Sequence, residues 1–160
     1  MTMKLSELVP EAAISTALTS TQRDDVIAEM VDLLIASGAA EASSRDDLIK
    51  RVLDREQKGS TGFGRGVAVP HVKHTGVETM TAAIGLSPTG VDFNALDRQP
   101  VYSVFLLLSP EDRPEEHLQA MEAIFKQLSK EIFRRFLRQA GSVEEVRTLL
   151  NDADNQTLGG

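Results

Sequence analysis

Apolar spacing divides the 160-residue chain into a helical opening, a strand-rich middle and a helical close. Residues 1–19 hold short apolar clusters around Pro10 (Leu5, Leu8 and Val9, then Ala12 to Leu18), read as a turn and an edge strand. Thr21 stands as the N-cap of a helix with an acidic first turn, whose stripe of Val26, Met30, Leu33 and Leu34 ends at Gly38. A second helix opens at Ser44, carries Leu48, Val52 and Leu53, and is expected to end before Arg55. Val67–Val69 reads as a short strand stopped by Pro70, and Met80–Leu86 and Val101–Leu108 as two more. The last is apolar enough for the middle of a sheet. Ser87-Pro-Thr-Gly90 has turn composition.

From Pro114 onward the period becomes helical. Leu118, Met121, Phe125 and Leu128 mark one face, then Ile132, Phe133, Phe136 and Leu137 another. Asp112 with Glu115, and Ser142 with Glu145, both have capping-box spacing, the second opening a final helix through Leu150. Asn151–Gly160 reads as a frayed polar tail. Helices on both sides of the strands in sequence predict one layered α/β domain over residues 1–160, with a small mixed sheet.

Composition narrows the function. The formal net charge of −7 argues against sequence-independent nucleic-acid binding, which needs clustered cations. An aromatic share of 4% leaves little for base stacking. No apolar run is long enough to insert in a membrane, and no leader pattern opens the chain, so a cytoplasmic protein is expected. Without cysteine there is neither a disulfide framework nor a thiolate metal site.

The chemistry concentrates in Arg55-Glu-Gln-Lys-Gly-Ser-Thr-Gly-Phe-Gly-Arg-Gly-Val-Ala-Val-Pro-His71. Its glycines follow a helix and precede a strand, the reverse of the dinucleotide-binding order, and no Walker lysine is present. Without Cβ atoms, Gly62 and Gly64 let the N–H groups around Ser60 and Thr61 approach an anion; equally, they build a tight entry to a strand. Pro70 biases Val69 to extended geometry, so His71 is expected where the strand ends. Arg55 offers a planar fork suited to a phosphoryl group, or else a solvated side chain paired with Glu56. His117, near a helix N-terminus, is disposed to stay neutral and donate one N–H. It fits equally as a histidine at the margin of the apolar face. His71-Val-Lys-His74 has no helical register for zinc, and His74 is expected in a solvent-facing loop.

Arg55-Glu56, Gly59 through Gly66 and Val67-Ala-Val-Pro-His71 resemble the signature of enzyme IIA, mannitol/fructose/nitrogen-regulatory type, of the bacterial phosphoenolpyruvate-dependent phosphotransferase system. The likeness continues in Phe93-Asn-Ala-Leu-Asp-Arg-Gln-Pro-Val101, in the strand to Leu108 and in Glu116-His-Leu118, and spans Leu5 to Leu150. Phe63, where an aliphatic is commoner, and Arg65 are mild departures.

The resemblance implies a three-layer sandwich, a mixed sheet flanked by helices on both sides. It implies phosphorylation of His71 by an HPr-type phosphocarrier, with Arg55 and His117 lining the site and no metal or other cofactor. Ser60, Thr61, Gly62 and Gly64 are the expected phosphate-binding loop. A free-standing chain resembles the nitrogen-regulatory branch, which acts on regulated cytoplasmic proteins. A sugar-specific enzyme IIA would instead pass the group to a permease B domain.

Overall fold

In a computed structural model of the protein, which describes residues 3–156, five strands form one mixed sheet between two helical layers. The strands are β1 (Ile14–Ser15), β2 (Val67–Ala68), β3 (His71–His74), β4 (Thr81–Val91) and β5 (Val101–Pro110). β4 and β5 are antiparallel in the centre, β1 runs parallel to β4 on one edge, and β2 and β3 run parallel to β5 on the other. Strand alternation separates two cores. Ala82, Ile84, Leu86, Phe105 and Leu107 face α1 (Leu5–Leu8), α4 (Pro114–Leu128), α5 (Glu131–Gln139) and α6 (Val143–Asp154). Ala83, Val104, Leu106 and Leu108 face α2 (Arg23–Ala36) and α3 (Arg45–Gln57). The expected three-layer α/β arrangement is what is observed.

Several local expectations are corrected. The opening segment contains α1 as well as the edge strand, and Gln22, not Thr21, precedes α2 without a side-chain cap. That helix closes in a Schellman turn: Gly38, at φ +86, donates to Ile35, and Ala39 donates to Leu34. The Asp112–Glu115 box does not form, since Arg113 occupies the N-cap of α4 and makes no capping bond. The Ser142 cap does form, its hydroxyl accepting from the Glu145 N–H at 3.2 Å. Ser87–Gly90 is carried within β4 as an irregularity between Leu86 and Val91, because β5 continues to supply partners beyond it.

The tail is helical as far as Asp154, and its remainder from Thr157 lies outside the described residues. The Asp154 carboxylate accepts the Leu5 N–H at 2.7 Å, the Ser6 N–H at 2.9 Å and the Ser6 hydroxyl at 2.6 Å, and so fastens α1 to α6.

Pro70 does not end the edge strand. Val67 lies opposite Ser103 and His71 opposite Leu107, an offset of 36 in both cases (103 − 67 and 107 − 71), so β2 and β3 share one register. Between them the Pro70 carbonyl still accepts from the Leu107 N–H at 3.0 Å. A proline lacks only its N–H, so the ladder to β5 loses one donor at Pro70 while the carbonyl keeps the pairing.

Candidate functional site

His71 thus opens β3 on the sheet edge, half-buried, rather than standing past a strand end. Its ring Nδ1 lies 3.0 Å from the Val69 carbonyl oxygen. A carbonyl can only accept, so Nδ1 carries the proton and Nε2 keeps the lone pair. A local backbone contact therefore sets the tautomer of an accessible imidazole.

The neighbouring ring is His117, on the first turns of α4 and 6% exposed, with ring centroids 5.6 Å apart and planes tilted by 58°. Its Nδ1 is 2.6 Å from the hydroxyl of Ser109, a fully buried residue of β5. Burial pushes the His117 imidazole down to about 4, and the charges of His71 and Lys73 push the same way. His117 is accordingly neutral at physiological pH. The buried face of α4 is His117, Ala120, Ile124, Gln127 and Leu128; of the expected stripe of Leu118, Met121, Phe125 and Leu128, Leu128 lies on it and the others sit one position off. Leu118 is 62% exposed, and Phe125 is exposed against Phe63, ring centroids 5.0 Å apart.

Arg55 lies in the last turn of α3 rather than beyond it, where its guanidinium donates to the Gly59 carbonyl at 2.8 Å. It shares a cleft with His71 and His117 that Arg51, Asp54, Lys58, Val72 and Lys73 also line. The structure thus brings together the three residues expected to do chemistry. It adds three cations that sequence reasoning missed. A signal for them existed: Arg51, Arg55 and Lys58 recur at helical spacing, and Lys73 follows His71 by two along a strand. Arg51 is itself fixed by Asp47 at 3.1 Å and by the Lys73 carbonyl at 3.2 Å.

The glycine loop takes part in several bonds within the fold. The Thr61 N–H donates to buried Glu56 at 3.1 Å, and the Gly62 N–H to the Ser60 hydroxyl at 3.0 Å. These two donors are occupied, one by α3 and one within the loop, and Ser60, Thr61, Gly62 and Gly64 do not line the histidine cleft. The loop instead packs on the 93–98 segment. Leu96 N–H donates to the Gly62 carbonyl at 2.7 Å, Arg65 N–H to the Asp97 carboxylate at 3.2 Å, and a Cβ on Gly62 would sit 3.0 Å from the Ala95 Cβ. The Thr61 carbonyl then accepts from the Val69 N–H at 3.2 Å, setting the residue whose own carbonyl holds His71. The loop positions the strand that positions the ring.

His74 is buried, not in a solvent-facing loop. Its Nδ1 accepts from the Gly76 N–H at 3.0 Å and its Nε2 donates to Asp47 at 2.7 Å, tying β3 to α3. That bond is the main cause holding the Asp47 carboxyl below its ordinary value. Among the described residues no group of acidic and histidine side chains is arranged to hold a metal.

Residues 7–153 match the family described as "Phosphoenolpyruvate-dependent sugar phosphotransferase system, EIIA 2". The chain belongs to this family. As an EIIA domain it is a phosphoryl-transfer component of the phosphotransferase system. It is 34% identical over 95% of its length to the fructose-specific EIIABC component of Bacillus subtilis, of which it spans 24%. It is 32% identical over 91% of its length to the fructose-specific EIIA component of Haloferax volcanii, spanning 94% of that protein. The crystal structure of the nitrogen regulatory protein IIA-Ntr from Neisseria meningitidis superposes with a TM-score of 0.81 at 33% identity, covering 91% of this chain and 97% of that one. EIIA domains of both sugar-specific and nitrogen-regulatory name are therefore its relatives. Among the described residues no helix is long and apolar enough to cross a membrane.

Proposed function

We propose that this EIIA domain carries a phosphoryl group on Nε2 of His71, accepted from the phosphohistidine of an HPr-type protein. The observation that supports this reading best is the Val69 carbonyl 3.0 Å from Nδ1, which leaves Nε2 as the free nucleophile. In-line attack forms the Nε2–P bond as the donor's N–P bond breaks, and the donor ring leaves with the electron pair. Such transition states are loose, so positioning and charge do most of the work. Arg55 supplies a fork for the equatorial oxygens, with Arg51, Lys58 and Lys73 adding positive potential over the cleft. His117, uncharged, accepts the Ser109 O–H at Nδ1 and donates its Nε2–H to the arriving group. The exposed Leu118, Phe125 and Phe63 provide an apolar landing for a protein partner.

The destination proposed is regulatory. A doubly negative group on His71 changes the charge of the surface that a regulated cytoplasmic protein meets, and the IIA-Ntr likeness at 33% identity supports that branch. A sugar-specific role is the second reading, favoured by the fructose-specific relatives. The test is incubation with phosphoenolpyruvate, enzyme I and HPr, followed by intact-mass measurement. The chain should gain one acid-labile phosphoryl group, lost in His71→Ala; persistent labelling of that variant would overturn the assignment. Rapid passage of the group to a permease B domain would select the sugar-specific reading.

A further inference from the structure

A second cationic cleft lies along the outer edge of the sheet, where Gly66 and Val67 and the facing Tyr102 and Ser103 meet α5. Arg65, Arg134, Arg135 and Arg138 line it, with Glu131 as the one carboxylate, a formal charge of +3 (four minus one) in a chain whose net charge is −7. Elsewhere Arg23, Arg45, Lys50, Arg51 and Arg113 pair with carboxylates within 4.0 Å. None of the four cleft arginines does so among the described residues. Arg134 and Arg138 stand four apart on one helix, where like charges repel.

The cleft is also built rather than merely charged. The Arg138 guanidinium lies 3.6 Å from the Tyr102 ring centroid, and Arg134 donates to the Leu128 carbonyl at 2.7 Å. Arg65 sits at φ +61 with its N–H held by Asp97. The Gly66 carbonyl accepts from both Tyr102 and Ser103 N–H, at 2.8 and 3.1 Å, which fixes the floor. Ser103 lines the cleft, is 2% exposed, and its hydroxyl has no partner among the described residues.

We propose that this cleft is a second anion site, for a small ligand carrying two or more linked phosphate groups. Several planar forks converging on one space match adjacent tetrahedral anions with many acceptor oxygens, and a formal +3 matches a diphosphate better than a single carboxylate. The Ser103 hydroxyl supplies the neutral donor. Nucleoside diphosphates and inorganic pyrophosphate share this chemistry. Because Arg65 leads directly into the loop that sets Val69, occupancy would stiffen the support of His71.

The test is calorimetric titration of the whole chain at physiological salt with pyrophosphate, ADP, GDP and, as controls, AMP and citrate. Pyrophosphate and the diphosphates should bind, with AMP and citrate at least tenfold weaker. Arg65→Gln/Arg135→Gln removes two side chains that make no hydrogen bonds among the described residues, so folding should persist; it should weaken binding at least tenfold, about 1.4 kcal/mol. The same variant should still accept phosphoryl from HPr, so this proposal and the His71 assignment fail separately. ADP or GDP binding without pyrophosphate binding would assign recognition to the nucleoside and overturn the phosphate reading. The proposal is equally overturned by no binding of any probe, by equal binding of citrate, or by binding lost in Arg55→Gln and kept in Arg65→Gln/Arg135→Gln.

Discussion

Ser109→Ala removes one oxygen from a fully buried position and with it the 2.6 Å contact to His117 Nδ1. The cost has two parts. Leaving a buried ring nitrogen without a partner should lower stability by about 1–3 kcal/mol. In the proposed role the hydroxyl also donates to Nδ1, which favours the His117 tautomer with Nε2–H free for the phosphoryl group. Losing a bias of about 1 kcal/mol takes the competent tautomer from roughly five-sixths of the population to about half, which slows transfer by somewhat less than about twofold. Rapid-quench transfer from phosphorylated HPr near neutral pH measures the rate, urea unfolding the stability, and ring nitrogen chemical shifts the tautomer. The expected result is a slower transfer together with a mixed His117 tautomer. A variant with the parent's rate but a shifted tautomer would show that the ring's proton position is irrelevant to transfer, and the role given to His117 would fall.

His117 titrates at about 4 in the fold against an ordinary 6.5. Between those values the unfolded chain binds more protons, so this residue removes stability as the pH drops from 6.5 toward 4. His117→Gln should flatten that portion of the urea-unfolding profile relative to the parent, and parallel profiles would contradict the stated cause. Asp154→Ala deletes three hydrogen bonds and should cost about 2 kcal/mol, with faster amide exchange at Leu5 and Ser6 and unaltered phosphoryl acceptance. Unchanged exchange there would mean that α1 is held by packing alone. On Gly85, a Cβ would run into Met30 Sδ and stand 2.9 Å from Leu18 Cδ1, so Gly85→Ala should destabilise by about 1–3 kcal/mol in thermal melts.

The residues to which the chemistry is assigned were readable because their types are informative: a Pro-His step, an arginine before glycines, and a histidine opening an amphipathic helix. The layered fold was readable from the order of periods. What escaped depended on pairing across distance. Pro70 looked like an end because the strand period breaks there, whereas β5 holds both sides of the break in one register. His74 appeared free because Asp47, its partner, is 27 positions away. Composition likewise cannot reveal that Glu56 and Ser60 engage the Thr61 and Gly62 N–H groups of the glycine loop. On α4, Leu118 and Phe125 outweighed Ala120 and Ile124 in side-chain bulk, yet the smaller pair is what faces the sheet.

The Asp154 clasp brings the first and last helices to one corner of the molecule. A tether attached before Leu5 or after Asp154 would depart from nearly the same place, so its reach toward His71 would scarcely depend on which side it joined. Such a module can be spliced ahead of or behind a larger neighbour without redesigning the hinge. Rejoining the two ends and reopening the chain in a surface turn should likewise leave the histidine edge undisturbed.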